Sequence, residues 1–387
     1  MTYYEGMLFF LCLTVVLIPA LVLGSLEKPL GRYSLVVSLI IALMVFGTDI
    51  LQLIYLAGFV LWSWLLVRRY LQIREKMGRH AGLYRFSLLA ALVPLILCKV
   101  SPLFHMNLFG FTGISYLTFR TVQIIIEAYD GVITQMNAEE FFSFLLFFPT
   151  LSSGPIDRSR RFLPDRARVL SKEEYQSLAA RGIWKLLLGA VYKFVLSAAV
   201  FHVLGYLQDA QAWYQILAYG YVYGVYLFFD FAGYSLMAVG SSYFLGIETP
   251  DNFRLPFLSA DIRDFWDRWH ISLSHWFRDY IFTRLVMHGT RKKWFKNAGK
   301  DARLWRACCG FMVNMGIMGL WHGLSPAYIV YGLYHGILLS VFEIYTKKCG
   351  FYKKNKDSRW YRVLSWAVTM QLVMFGFLIF SGRLIPA

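Results

Sequence analysis

Two histidines set the chemical question. His322 stands in Trp321-His322-Gly323, inside the apolar stretch 310–334. His270 closes Phe265-Trp266-Asp267-Arg268-Trp269-His270 and is followed by Ile271-Ser272-Leu273-Ser274. Neutral imidazole is a competent base near neutral pH, able to activate a hydroxyl for attack on an ester-like carbonyl. A charged group at bilayer depth costs about 2.5 kcal/mol or more, so an ionisable residue there faces a cavity or pathway, or is buried against a hydrogen-bonding carbonyl. Both readings of His322 stand on that ground alone. For His270 the adjoining hydroxyls of Ser272 and Ser274 favour a site.

Three further polar sets interrupt apolar runs: Gly113-Ile-Ser115-Tyr116-Leu-Thr118-Phe119-Arg120, Ser152-Ser153-Gly154-Pro155-Ile156-Asp157-Arg158, and Phe229-Asp230-Phe231-Ala232-Gly233-Tyr234-Ser235. Each also fits a structural role, Asp230 for example as the partner of an arginine, because an unpaired buried charge is strongly disfavoured. His335 falls about three and a half helical turns after His322 and reads as a packing residue. His80, His105, His202, His275 and His288 carry no supporting pattern. The histidines, cysteines and carboxylates show no metal-type spacing, so no metal is expected. Cys12, Cys98, Cys308, Cys309 and Cys349 read as free thiols.

The elements that must hold these groups are membrane helices. Of 387 residues 58% are hydrophobic and only 16% charged, against about 25% charged in a soluble domain. Apolar runs recur at roughly 7–24, 33–47, 50–67, 86–100, 104–120, 140–151, 182–207, 211–229, 232–247, 307–321, 324–346 and 363–383. They are continuous rather than alternating, which implies an all-α polytopic membrane protein and excludes a barrel. The first run reads as a retained helix, since no basic segment precedes it. We treat 1–387 as one membrane domain, with N-terminal helices in 1–100, a catalytic core in 101–346 and a C-terminal helix in 347–387.

The net charge of +16 is clustered. Lys28 and Arg32 follow the first run; Arg68, Arg69, Arg74, Lys76, Arg79 and Arg85 follow the third; further blocks lie at 158–185, 284–306 and 347–362. The positive-inside rule places these in the cytoplasm and both termini outside the cell membrane. That bias accounts for the charge without nucleic acid. The stretch 104–155, broken by Pro149 and Gly154-Pro155, is expected to be re-entrant, because non-helical backbone at membrane depth must be buried in protein or line a cavity. The segment 248–306 mixes charge with tryptophan. Arg263/Asp267 and Asp264/Arg268 are spaced i,i+4, which supports a helix, and Trp266 and Trp269 would share its face at the interface.

His322 lies 16 residues beyond Arg306, about 24 Å along a helix, which puts it deep in the membrane. Gly316, Gly319 and Gly323 keep that helix end narrow for a neighbouring backbone or a slender substrate.

Asn252-Phe253, the Phe265–Ser274 run and Met318-Gly319-Leu320-Trp321-His322-Gly323 together resemble the pattern of the membrane-bound O-acyltransferase family. Within it the likeness is to the branch that transfers D-alanine in Gram-positive bacteria, carried by 113–120, 153–158, 227–235, Phe277-Arg278-Asp279 and Phe380-Ser381-Gly382-Arg383. The resemblance implies about eleven membrane helices, with re-entrant and interfacial helices, around a central funnel and tunnel. It implies His322 as catalytic base with His270 in support, and Asn252, Trp269, Ser272, Ser274, Asp230 and Trp321 along the substrate path. No cofactor would be bound; the donor would be D-alanine held as a thioester on the phosphopantetheine arm of an acidic carrier protein. Lipoteichoic acid would be the acceptor, reached directly or through other membrane proteins of the same operon. Leu285 and Val286, beside Arg291, Lys292 and Lys293, offer an apolar edge and a basic patch for such a carrier, or ordinary positive-inside charge. The rival readings are a polysaccharide O-acetyltransferase of the same family and a transporter or flippase with His322 and Asp230 in its pathway.

Overall fold

The computed structural model describes residues 2–104 and 109–385; His105 and part of the expected run 104–120 lie outside them. Among the described residues the chain is helical with no strand. The helices are α1 (Gly6–Ser25), α2 (Gly31–Phe46), α3 (Ile50–Met77), α4 (Ala81–Val100), α5 (Ile114–Asp130), α6 (Ala138–Leu145), α7 (Ser159–Ala167), α8 (Lys172–Ala190), α9 (Ser197–Gly205), α10 (Trp213–Phe244), α11 (Ile262–Trp266), α12 (Ile271–Phe277), α13 (Thr283–Arg291), α14 (Ala302–His322), α15 (Pro326–Lys348), α16 (Gly350–Asn355) and α17 (Arg359–Phe380).

Seven helical stretches among these residues are long and apolar enough to cross a bilayer, and α2 is a shorter apolar helix. Large apolar side chains such as Met7, Ile54 and Leu187 stand exposed along them, as lipid-facing residues do. The chain is a multi-pass membrane protein. The expected spans at 211–229 and 232–247 are one 32-residue helix, α10. Asp230 does not break it, because Lys193 Nζ lies 2.7 Å from its carboxylate; the partner is a lysine rather than an arginine. The expected span at 140–151 is the short α6 followed by a 3-10 turn, Phe148–Thr150. α14 has crossing length, but Arg303 and Arg306 occupy its first turns.

The chain divides by compactness into two units, Met1–Val191 with Gly233–Asp251, and Tyr192–Ala232 with Asn252–Ala387. In the first, Asp49 caps α3 by accepting from the Leu51 and Gln52 N–H groups at 3.1 and 3.2 Å. The Gln52 side chain and these N–H groups hold its carboxyl below the usual carboxylate range. Arg120 explains how the broken stretch after α6 is tolerated. It is 1% exposed and donates to the carbonyls of Phe144, Leu145 and Thr150 at 2.9, 2.7 and 2.6 Å, and to the Thr150 hydroxyl at 2.5 Å. One α5 side chain thus satisfies carbonyls that the end of α6 and the following turn would leave bare. Phe141, Phe144, Phe147, Phe148 and Phe162 pack fully buried in the same unit.

In the second unit α14 and α15 form a tight hairpin. A Cβ on Gly319 would lie 2.5 Å from the Tyr328 carbonyl oxygen, and one on Gly332 would lie 2.5 Å from that of Met315. The two backbones touch where only glycine permits it. α17 is tied to α15 by the Tyr334 hydroxyl, which donates to the Leu372 carbonyl at 2.9 Å. The helix expected through Arg263–His270 ends at Trp266. Of its two proposed pairs, Arg268 does bond Asp264, at 2.7 Å, while Arg263 turns to Glu343 of α15. Trp266 and Trp269 are 7% and 5% exposed; they are buried in protein rather than placed at the interface.

Candidate active site

His270 sits in the turn between α11 and α12 with φ 44° and ψ 51°. That left-handed conformation is uncommon for a non-glycine residue and persists only where the surroundings enforce it. The enforcement comes from the segment after α10. Ile271 N–H donates to the Asn252 carbonyl at 2.8 Å, and Arg254 N–H donates to the Arg268 carbonyl at 3.0 Å. The Asn252 side chain completes the clamp: its amide oxygen accepts from the Ser272 hydroxyl at 2.7 Å and from the Ser272 N–H at 3.2 Å, and it lies 3.2 Å from His270 Nδ1. An amide oxygen only accepts, so Nδ1 carries the proton and Nε2 of the neutral ring keeps its lone pair. The ring is 4% exposed and meets the Phe231 ring edge-on at 4.7 Å.

His322 is the last residue of α14. Gly323 follows in extended backbone, close enough to Tyr328 that a Cβ there would lie 2.5 Å from its ring. The His322 ring packs against Trp321 at 4.6 Å and Phe380 at 5.0 Å. Gly319 and Gly323 make the close approaches foreseen for them, whereas Gly316 faces open space.

His270 and His322 line one small cavity of about 70 Å³, walled by Phe231, Trp266, Trp269, Tyr331, Phe377 and Phe380. A second cavity, of about 670 Å³, lies in the same unit. Arg263, Arg278, Lys300, Arg303, Lys347 and Lys348 give it a basic lining, tempered by Asp267, Asp301 and Glu343. Its α14 wall runs through Leu304, Ala307, Phe311, Asn314, Met315 and Met318. Those positions recur every three or four residues, one face of a helix, and the next step along that face is His322. From Arg303 to Met318 the stripe covers about 22 Å.

Ser272 is held by Asn252, as above. Ser274 lines the larger cavity, as does Val286 on α13. Leu285 is half-buried, and Arg291, Lys292 and Lys293 are exposed at the end of α13 and just beyond it. Asp230 is engaged by Lys193, and neither it nor Trp321 belongs to either lining. His335 is 1% exposed and packs edge-on to Trp266 at 5.1 Å, outside the histidine cavity. Tyr331, Phe377 and the α14 stripe were not singled out from sequence. The stripe's spacing was the available signal. The two rings carry none, since aromatic residues recur throughout the chain. Among the described residues no three histidine, cysteine or carboxylate side chains gather as a metal site would require.

This geometry offers two imidazoles, His270 buried and His322 half-buried, lining one cavity at the end of a helix face. It suits acyl transfer within an apolar pocket. Comparison with known proteins gives the same direction. The profile of the membrane-bound O-acyltransferase family matches residues 40–299. The chain is 42% identical to the teichoic acid D-alanyltransferase of Bacillus subtilis (strain 168), over 99% of this chain and 98% of that protein. It is 38% identical to the teichoic acid D-alanyltransferase of Streptococcus thermophilus, over 98% of this chain and 95% of that protein. A probable alginate O-acetylase of Pseudomonas fluorescens is 31% identical, over 83% of this chain but 57% of that protein. The chain therefore belongs to the membrane-bound O-acyltransferase family and is a membrane-bound acyltransferase.

Proposed function

We propose that the protein transfers D-alanine to teichoic acid, taking it from a thioester on the phosphopantetheine arm of an acidic carrier protein in the cytoplasm. The observation that most supports this is the α14 stripe, which runs from a basic-lined cavity to His322 and His270 in an apolar pocket. A basic mouth attracts an acidic partner. A long apolar face accommodates an extended, uncharged arm. The substrate named for the Bacillus and Streptococcus relatives supplies the acyl group and acceptor. The orientation that goes with this reading has both termini outside, the mouth of the larger cavity in the cytoplasm, and lipoteichoic acid reached from the outer face, directly or through partner membrane proteins.

In the reaction His322 takes the proton of the acceptor hydroxyl as its oxygen attacks the thioester carbonyl. The C–O bond forms, the C–S bond breaks, and the proton passes to the departing sulfur, which leaves as a free thiol on the arm. His270, fixed by Asn252 through Nδ1, lines the same cavity and supports His322 or the thioester.

The test is His322→Ala in a cell whose own copy is deleted. D-alanyl esters on teichoic acid are expected to vanish while the protein still inserts and captures carrier. Esterification that survives the change removes His322 from the chemistry.

A further inference from the structure

Trp266 is the one residue, among those described, that lines both cavities. It stands at the end of α11, where the larger chamber stops and the histidine chamber begins. Its indole is 7% exposed and is braced edge-on by His335 at 5.1 Å and by Phe265 at 5.6 Å. Despite that burial, its Nε1–H has no hydrogen-bond partner among the described residues. Buried donors without partners are rare, and each calls for a physical explanation. An indole N–H can only donate. A partition needed solely for its bulk would be served by phenylalanine, a residue this chain uses 33 times, with no donor to bury.

We infer that Trp266 is both the partition between the chambers and a positioning residue for the acyl donor, its N–H donating to an amide carbonyl of the pantetheine arm as the arm passes from one chamber into the other. This rests on the carrier-thioester reading above. The bond forms only when the ring has moved enough to admit the arm, so the empty state leaves the N–H idle. The contact lies on the arm rather than at the reacting carbon. It therefore contributes to binding in ground and transition states alike, and its loss raises KM with little change in kcat.

The experiment uses full-length protein in membranes that carry teichoic acid, with two donors: the D-alanyl thioester of pantetheine, which has two amides, and that of ethanethiol, which has none. Trp266→Phe is expected to raise KM for the pantetheine donor about three- to tenfold, the range of one neutral hydrogen bond, and to leave KM for the ethanethiol donor unchanged. Trp266→His, which keeps a ring N–H, should recover part of the loss; it serves as the second variant where phenylalanine impairs folding. Equal losses on both donors would mean a purely structural role and overturn the inference, as would no change on either. If wild-type protein fails with the pantetheine donor and with loaded carrier alike, the carrier-thioester reading itself has failed and this inference falls with it.

Discussion

The amide oxygen of Asn252 holds Nδ1 of His270 at 3.2 Å, and that contact leaves Nε2 as the ring nitrogen with a lone pair. The residue responsible comes from the segment after α10, while the histidine belongs to the turn before α12. On the mechanism proposed above, Asn252 is a positioning residue acting through His270.

Asn252→Ala should lower acyl transfer by about ten- to a hundredfold, within the range that general acid–base groups supply. Asn252→Asp keeps an oxygen opposite Nδ1 and should retain more activity than alanine. Initial rates of D-alanyl ester formation in membranes, normalised to protein content, check the order. Alanine as active as wild type would remove Asn252 from the site.

Val286 lines the larger cavity close to α14, where a Cβ on Gly310 would lie 3.0 Å from it. Val286→Asp should weaken carrier capture in a pull-down with the protein still folded. Charge reversal at Arg291, Lys292 and Lys293 should instead slow association and flatten its salt dependence, as expected for steering charges at a rim. Capture of carrier at wild-type strength by Val286→Asp would rule out docking there.

Arg120 serves stability. Replacing it with methionine keeps much of the volume and strips three buried carbonyls of their donor. Each unsatisfied acceptor costs about 1–3 kcal/mol, so the melting temperature in detergent should fall by several degrees or the protein should fail to accumulate. An unchanged melting temperature would show that other donors replace the guanidinium.

Asp230 and Lys193 make a pair whose halves should be worse apart than absent together. Asp230→Asn alone leaves the lysine uncompensated and should destabilise by a few kcal/mol; adding Lys193→Met should restore most of that. Acyl transfer by the double variant should approach wild type. A double variant that is stable but inactive would instead point to a pathway role for Asp230.

His322 is legible in the sequence because an imidazole in an apolar run is expensive enough to stand out, and His270 because the hydroxyls of Ser272 and Ser274 follow it. The conformation of His270 is not. The charges at Arg263, Asp264, Asp267 and Arg268 have helical spacing, yet the helix stops at Trp266 because Asn252, 18 residues upstream of His270, captures the next turn through contacts that no local period encodes. Asp230 misled in the same way: it looked like a break between two spans, and its neutralising lysine lies 37 residues earlier in the chain. Trp266 was readable as an aromatic anchor beside arginines, and its place between two cavities depends on α14 and α15, which arrive later in sequence.

The small size of the histidine cavity has a bioenergetic consequence. At about 70 Å³ it holds no more than a few water molecules, and its walls are mostly aromatic rings. On the orientation proposed above, a site reached from both faces of an energised membrane risks becoming a shunt, and each elementary charge that slips through dissipates about 2.3 kcal/mol per 100 mV. Protons and ions need an unbroken hydrated column, which these rings interrupt. On that reading Phe231, Tyr331, Phe377 and Phe380 insulate as well as shape the site, and a substitution that merely widened it would tax the cell's proton gradient even if every acyl group still reached its acceptor.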